Sequence, residues 1–172
     1  MILKIGGAIT RALVLSWLCI GSAVFAADKL SAGDTPPPSL GVTRDGQIIE
    51  TTQYPGKVLV VTFWASWCGP CMRELPLLEG IQQAGGKEKI QVVAVNIEDR
   101  ERFKMVSRRL ASLTLTLSHD YNKGSSAAYG VHGIPHLIII GRDGKVIRVH
   151  RGYSDAGIDS IIAEINSALA AG

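Results

Sequence analysis

The sequence is short of the residues that most readily betray a function. Three cysteines stand among its 172 residues, too few for the two Cys-x-x-Cys pairs of a four-thiolate zinc site. Charge of one sign is not in excess. Two of the 18 basic side chains, Lys4 and Arg11, lie in the first 26 residues, which hold no acid, leaving 16 against 15 acidic ones. So even a balance gives no field to draw in nucleic acid, and neither an arginine stripe nor a phosphate-cradling glycine loop is present. No internal repeat is visible either, so the 47% of hydrophobic residues reads as the core of one globular domain.

Uninterrupted apolar length is lacking where a membrane span would need it. The N-terminus, MILKIGGAITRALVLSWLCIGSAVFAADKL, carries two cations and then an apolar run from Ala12 to Ala27 that ends in small residues. A span wants roughly 20 such residues, and extending this run back toward Ile5 takes in Arg11. Residues 1–26 therefore read as a secretory signal cut after Ala26, with Ala27 as the alternative site, since Val24 and Ala26 meet the small-residue rule. An uncleaved membrane anchor is the other reading. Cys19 follows Leu18 rather than the small residue that precedes a lipid-modified cysteine, so it is expected to leave with the signal. The exported chain then keeps Cys68 and Cys71 alone, in an oxidising compartment.

Residues 27–38 hold charge, glycine and the consecutive prolines Pro36 to Pro38, the pattern of a flexible tether, and the domain proper is expected over 39–172. SLGVTRDGQIIE turns at Asp45-Gly46 and reads as a short hairpin. GKVLVVTFWAS, nearly all apolar and rich in valine, fits a strand buried on both faces. Its end delivers the cysteines. Pro70 suits the first turn of the helix that follows, whose apolar side is Leu75, Leu78 and Ile81, and Pro76 is expected to kink it. KIQVVAVNI is a second buried strand, completing a βαβ unit. A helix over Asp99 to Leu110 buries Phe103, Val106 and Leu110 and leaves Arg108 and Arg109 on a solvated face. LTLTL alternates as a strand, SSAAYGV is a short helix stopped by Gly130, and HLIIIGRDGKVIRVH is a hairpin turning at Arg142 to Gly144. Ser154 caps a last helix with Ile158, Ile161, Ile162, Ile165 and Leu169 on one face.

The chemistry rests on FWASWCGPCMRELP, Phe63 to Pro76. A structural staple is a poor account of Cys68 and Cys71, because a disulfide's stabilisation grows with the loop it closes. A zinc site takes four ligands, and only His119, His132, His136 and His150 are available to supplement the two thiolates. Redox use of the pair is the leading reading.

WCGPC at Trp67 to Cys71, Pro76 five residues beyond the second cysteine, and GIPH before a late hairpin together resemble thioredoxin. More narrowly, the N-terminal hairpin, CMRELP and the exported context resemble the TlpA/ResA/CcmG group of extracytoplasmic thioredoxin-like disulfide reductases. The likeness covers Ser39 to Leu169. It implies an α/β fold with a central mixed sheet flanked by helices and an extra N-terminal β-hairpin.

The resemblance also assigns roles. Cys68, at a strand-to-helix turn, is the attacking thiol, favoured as thiolate by the helix end, and Cys71 is the shielded resolving thiol. Where thioredoxin buries an aspartate in the strand, this chain has Thr62, and Glu74 takes the acid–base role instead. Pro135 matches the family's cis-proline, which leaves the preceding Ile134 backbone free to pair with substrate. Trp67, Gly69, Pro70, Ile134, Pro135 and His136 are thus the expected substrate contacts. His136 replaces the threonine common after that proline; it is read either as an imidazolium favouring the Cys68 thiolate or as a hydrogen-bonded strand side chain. Trp64 and Trp67 are read as shields of the disulfide or as core.

The function so implied is periplasmic, or membrane-anchored facing the periplasm: a thiol–disulfide oxidoreductase that reduces protein disulfides, with a role in cytochrome c maturation among the options. No cofactor or resident metal is implied. Its partners are protein disulfides and a membrane thiol donor of the DsbD/CcdA type, with no nucleic acid and membrane contact only through an uncleaved N-terminus. Two rivals stand beside it. One is a disulfide oxidase or isomerase, and the other is a copper-binding chaperone using Cys68, Cys71 and His136.

Overall fold

The computed structural model describes residues 30–152 and 154–171. The expected signal over 1–26, its cleavage site and Cys19, and the start of the expected tether lie outside the described residues.

β1 (Ser39–Val42) and β2 (Ile48–Glu50) form the N-terminal hairpin, followed by a turn of 3-10 helix at Thr51–Gln53. Then come β3 (Val58–Trp64), α1 (Gly69–Gly85), β4 (Ile90–Asn96), α2 (Arg100–Arg109), β5 (Thr116–His119), α3 (Gly124–Ala128), β6 (His136–Ile140), β7 (Val146–Arg151) and α4 (Asp155–Ala170). One seven-stranded sheet runs in the order β2-β1-β5-β4-β3-β6-β7. β3, β4 and β5 are parallel, and the remaining pairings are antiparallel. Helices α1 and α2 carry the chain between the parallel strands β3, β4 and β5, whereas short turns join the antiparallel pairs β1–β2 and β6–β7.

β3 is an interior strand between β4 and β6, and every one of its residues is buried, as a run of β-branched side chains covered on both faces requires. One face packs Val58, Val60 and Trp64 under α1 and α4, with Leu75, Leu78, Ile161 and Ile165. The other packs Leu59, Val61 and Phe63 against Tyr129, Leu40 and Ile138. Each such aliphatic side chain contributes on the order of 1.5–3 kcal/mol of burial. α2 begins at an N-cap, Asp99, whose carboxylate accepts from the Arg102 N–H at 2.8 Å, and Ser154 caps α4 through the Gly157 N–H at 3.1 Å. α1 continues through Pro76. Gly41 is where β1 presses on β5: its φ is +84°, and a Cβ there would collide with the His119 carbonyl.

The flexible-tether expectation is corrected from Leu30 onward. Gly33 N–H donates to Val146 O at 2.8 Å and Val146 N–H to Asp34 O at 3.0 Å, so this segment is tied to β7. Tyr129 Oη donates to Pro37 O at 2.6 Å, and Leu30 is buried against the second core face. A proline run has no competing ladder of its own, so its carbonyls are free to be taken by the domain.

Candidate active site

The site is the junction where β3 ends and α1 begins. Pairing of Trp64 with Asn96 closes the β3–β4 register, and Ala65 to Trp67 carry the chain to Cys68, the N-cap of α1. The Cys71 N–H points back to Cys68 Sγ at 3.2 Å, a first-turn amide satisfied by sulfur. The two cysteines are joined in a disulfide, with Cα atoms 5.3 Å apart. Cys68 keeps 5% of its surface and Cys71 none, so an incoming thiolate meets Cys68 first. Cys71 lies one turn deeper, on the side of α1 that faces the sheet.

Glu74 lies on that buried side too, three residues beyond Cys71. It is 2% exposed, and Thr62 Oγ1 donates to its Oε2 at 2.7 Å. The Thr62 that replaces a strand acid therefore holds the glutamate that enters from the helix. Burial pushes the Glu74 carboxyl up to about 7, the Thr62 bond offsetting only part of the desolvation. A carboxyl poised there exchanges a proton readily at neutral pH.

The peptide bond between Ile134 and Pro135 is cis. Pro135 precedes β6, whose first residue pairs with Phe63, which brings it to the end of the sheet where β3 delivers the cysteines. Its carbonyl accepts the Gly152 N–H at 2.9 Å. The two tryptophans part company: Trp64 is fully buried in the core, whereas Trp67 is 71% exposed. Gly69 is exposed, and Pro70 and Ile134 are half-buried.

His136 is corrected. Pairing with Phe63 puts its ring on the face opposite Thr62 and Leu137, against Phe63 in a T-shaped contact at 6.2 Å. It is fully buried, and among the described residues neither ring nitrogen has a hydrogen-bond partner. It is thus neither a substrate contact, nor an imidazolium beside Cys68, nor a hydrogen-bonded strand side chain. The copper set of Cys68, Cys71 and His136 is not assembled, because its imidazole lies across the sheet from its thiolates.

Burial first, then electrostatic repulsion from Arg151 and His132, lowers the His136 pKa from 6.5 to about 4. The unfolded chain binds this proton below its ordinary pKa and the folded chain only near pH 4, so stability falls as pH drops through that window. The effect is on the order of 3 kcal/mol. Urea unfolding at pH 7 and pH 4.5 is expected to show the wild type losing more stability than His136→Leu. Equal losses in the two proteins would remove His136 as the cause.

Sequence reading missed Glu98. Its carboxylate receives the Ser66 N–H at 2.6 Å and the Ser66 hydroxyl at 2.8 Å, from the turn just before Cys68. The signal was present in the strand register: with Trp64 opposite Asn96, Ser66 and Glu98 are the residues that follow at the same end of adjacent parallel strands.

The Redoxin family model matches residues 31–168. The chain belongs to the Redoxin family. It is similar to the thiol-disulfide oxidoreductase ResA of Geobacillus thermodenitrificans, 29% identical over 72% of this chain and 71% of that protein. The thioredoxin-like protein YneN of Bacillus subtilis is 33% identical over 64% of this chain and 65% of its own length. A solved Chlorobium tepidum structure ascribed to the thiol:disulfide interchange protein DsbE superposes with a TM-score of 0.72 at 31% identity, covering 81% of this chain and 99% of that one. This redoxin is a thioredoxin-like thiol–disulfide oxidoreductase of the TlpA/ResA/CcmG type, and Cys68–Cys71 is its redox-active pair.

Proposed function

We propose that this redoxin works outside the cytoplasm as a reductase of protein disulfides, with Cys68 attacking, Cys71 resolving and Glu74 carrying the proton. The observation that carries the proposal is the depth order along α1: Cys68 capping the helix, Cys71 fully buried one turn on, and Glu74 buried with its carboxyl near neutrality. The Cys68 thiolate attacks one sulfur of a substrate disulfide, and the other sulfur leaves as thiolate. Cys71 then gives its proton to Glu74 and attacks Cys68 Sγ, displacing the second substrate sulfur, which takes up a proton. The substrate gains two electrons and the enzyme ends as the Cys68–Cys71 disulfide.

Trp67, Gly69 and Pro70, on the accessible side of the helix start, and Ile134 with Pro135 beside it, are assigned to the substrate backbone. His136 is not. Reduction in an oxidising compartment demands a source of electrons, which we assign to a membrane dithiol donor of the DsbD/CcdA type. Apocytochrome c fits as substrate because it presents a cysteine pair that must be reduced before haem is attached. Among the described residues no helix is long and apolar enough to cross a membrane.

Equilibrium with glutathione tests the direction of electron flow. A reductase is expected to poise near thioredoxin's potential of about −270 mV, far below the strong oxidant's about −120 mV. A value at the oxidant end overturns the reductase assignment in favour of an oxidase or isomerase.

A further inference from the structure

The turn that carries Cys68 lies beyond the reach of the sheet's own ladder. The Trp64 carbonyl takes the last bond of that kind, from the Ile97 N–H at 3.0 Å, and Ala65, Ser66 and Trp67 then leave the strand. A turn without further anchorage would let the N-cap sulfur wander. The turn closes on itself through the Cys68 N–H to the Ala65 carbonyl at 3.1 Å, and its next tie to the neighbouring strand is the Glu98 carboxylate: Oε2 accepts the Ser66 N–H and Oε1 accepts the Ser66 hydroxyl. A residue two positions before the nucleophile is thus gripped by main chain and side chain together.

The gripping end is itself fixed. Asn96 Nδ2 donates to Glu98 Oε2 at 3.1 Å, and Asn96 Oδ1 accepts the Glu98 N–H at 2.9 Å. His119 Nε2, on β5, bonds the Glu98 carbonyl at 2.9 Å, while Lys123 Nζ bonds the neighbouring Ile97 carbonyl. Arg102 Nε, on α2, stands 3.9 Å from Oε1, and the Glu98 side chain is only 7% exposed. A carboxylate so nearly desolvated is tolerated when charge-assisted hydrogen bonds satisfy it, and Ser66 supplies two of them.

We infer that Glu98 is a positioning residue for the redox pair: its clamp on Ser66 fixes the turn that sets Cys68 at the N-terminus of α1 and holds Trp67 out in solvent. The inference rests on Cys68 being the attacking thiol. Helix-end stabilisation of a thiolate falls off within a turn, so a loosened Cys68 loses thiolate character. Removing a nearby negative charge has the opposite sign, because a like charge disfavours the thiolate. The direction of the change therefore separates positioning from charge.

The experiment follows iodoacetamide labelling of Cys68 between pH 5 and 9 in the reduced protein, for wild type, Ser66→Ala, Glu98→Gln, Glu98→Ala and the Ser66→Ala/Glu98→Ala double variant. Circular dichroism confirms that each one folds. The clamp predicts an upward shift of the Cys68 titration in Glu98→Ala by about one unit, or about tenfold slower labelling below the titration midpoint. Ser66→Ala and Glu98→Gln, which each keep part of the clamp, shift less, and the double variant matches Glu98→Ala because Ser66 has nothing left to lose. An unchanged profile, a downward shift, or fully additive effects in the double variant would each overturn the clamp. Should Glu98→Ala fail to fold, Ser66→Ala and Glu98→Gln decide by the same sign. Labelling of Cys71 ahead of Cys68 in the wild type would instead sink the nucleophile assignment, so the two failures are told apart.

Discussion

Cys71→Ser is expected to abolish turnover and to leave the protein covalently joined to whatever Cys68 attacks. The first exchange needs only the Cys68 thiolate, so it proceeds, but the second needs a nucleophile at position 71. A serine hydroxyl does not ionise near neutral pH and cannot displace the substrate sulfur, so the mixed disulfide accumulates. Expressed with its own N-terminal segment in an export-competent bacterial host, the variant should form reducible adducts with client proteins and with a membrane donor. The adducts name both partners at once. Cys68→Ser serves as the control, because it leaves the buried Cys71 without an accessible partner thiol and should trap little. If Cys71→Ser yields no adducts, or Cys68→Ser yields as many, the order of attack is wrong.

Redox use of the cysteine pair could be read from local sequence, the roles within the pair came from the family resemblance, and the features that were missed are set by tertiary contacts. Cys68, Cys71 and Pro70 are local: two thiols at that spacing after a buried strand, with a proline that suits the first helical turn, specify a reactive helix start. The hairpin at Asp45-Gly46, the cap Ser154 and the buried runs of β3 and β4 were legible for the same reason. Each is fixed by residues a few positions apart.

Three features depend on distant pairings. The segment from Leu30 to Pro38 looks like a tether until Val146 and Tyr129, more than ninety residues away, take its polar groups. His136 is adjacent in sequence to the cis-proline, yet a strand's alternation turns neighbouring side chains to opposite faces, and pairing with Phe63 sends it away from the cysteines. Glu98 grips a residue 32 positions earlier. No periodicity announces such a contact, although the register of two parallel strands contains it once known.

Glu74→Gln should separate catalysis from stability, with effects of opposite sign. The substitution keeps the shape and leaves a carbonyl oxygen to accept the Thr62 hydroxyl, now 2.7 Å from Oε2, but it cannot receive the Cys71 proton. Loss of a positioned general base slows the step it serves by about 10²- to 10⁴-fold. Stopped-flow measurement of the resolving step, starting from a preformed mixed disulfide, should show that loss, with the first attack by Cys68 little changed. The pH dependence should differ as well: the wild-type step rises as Glu74 loses its proton near pH 7, and the variant should lack that inflection. Stability moves the other way. With the folded pKa raised from 4.5 to about 7, the folded chain holds a proton that the unfolded chain releases between those values, so wild-type stability falls as pH rises through the window. The neutral glutamine is free of this penalty, which reaches on the order of 3 kcal/mol above pH 8. Denaturant unfolding should find the two proteins alike near pH 4 and the variant ahead by about that amount at pH 8.5. Resolving rates equal to wild type, together with a stability difference that does not change with pH, would show that the buried carboxyl neither ionises in the working range nor carries the Cys71 proton.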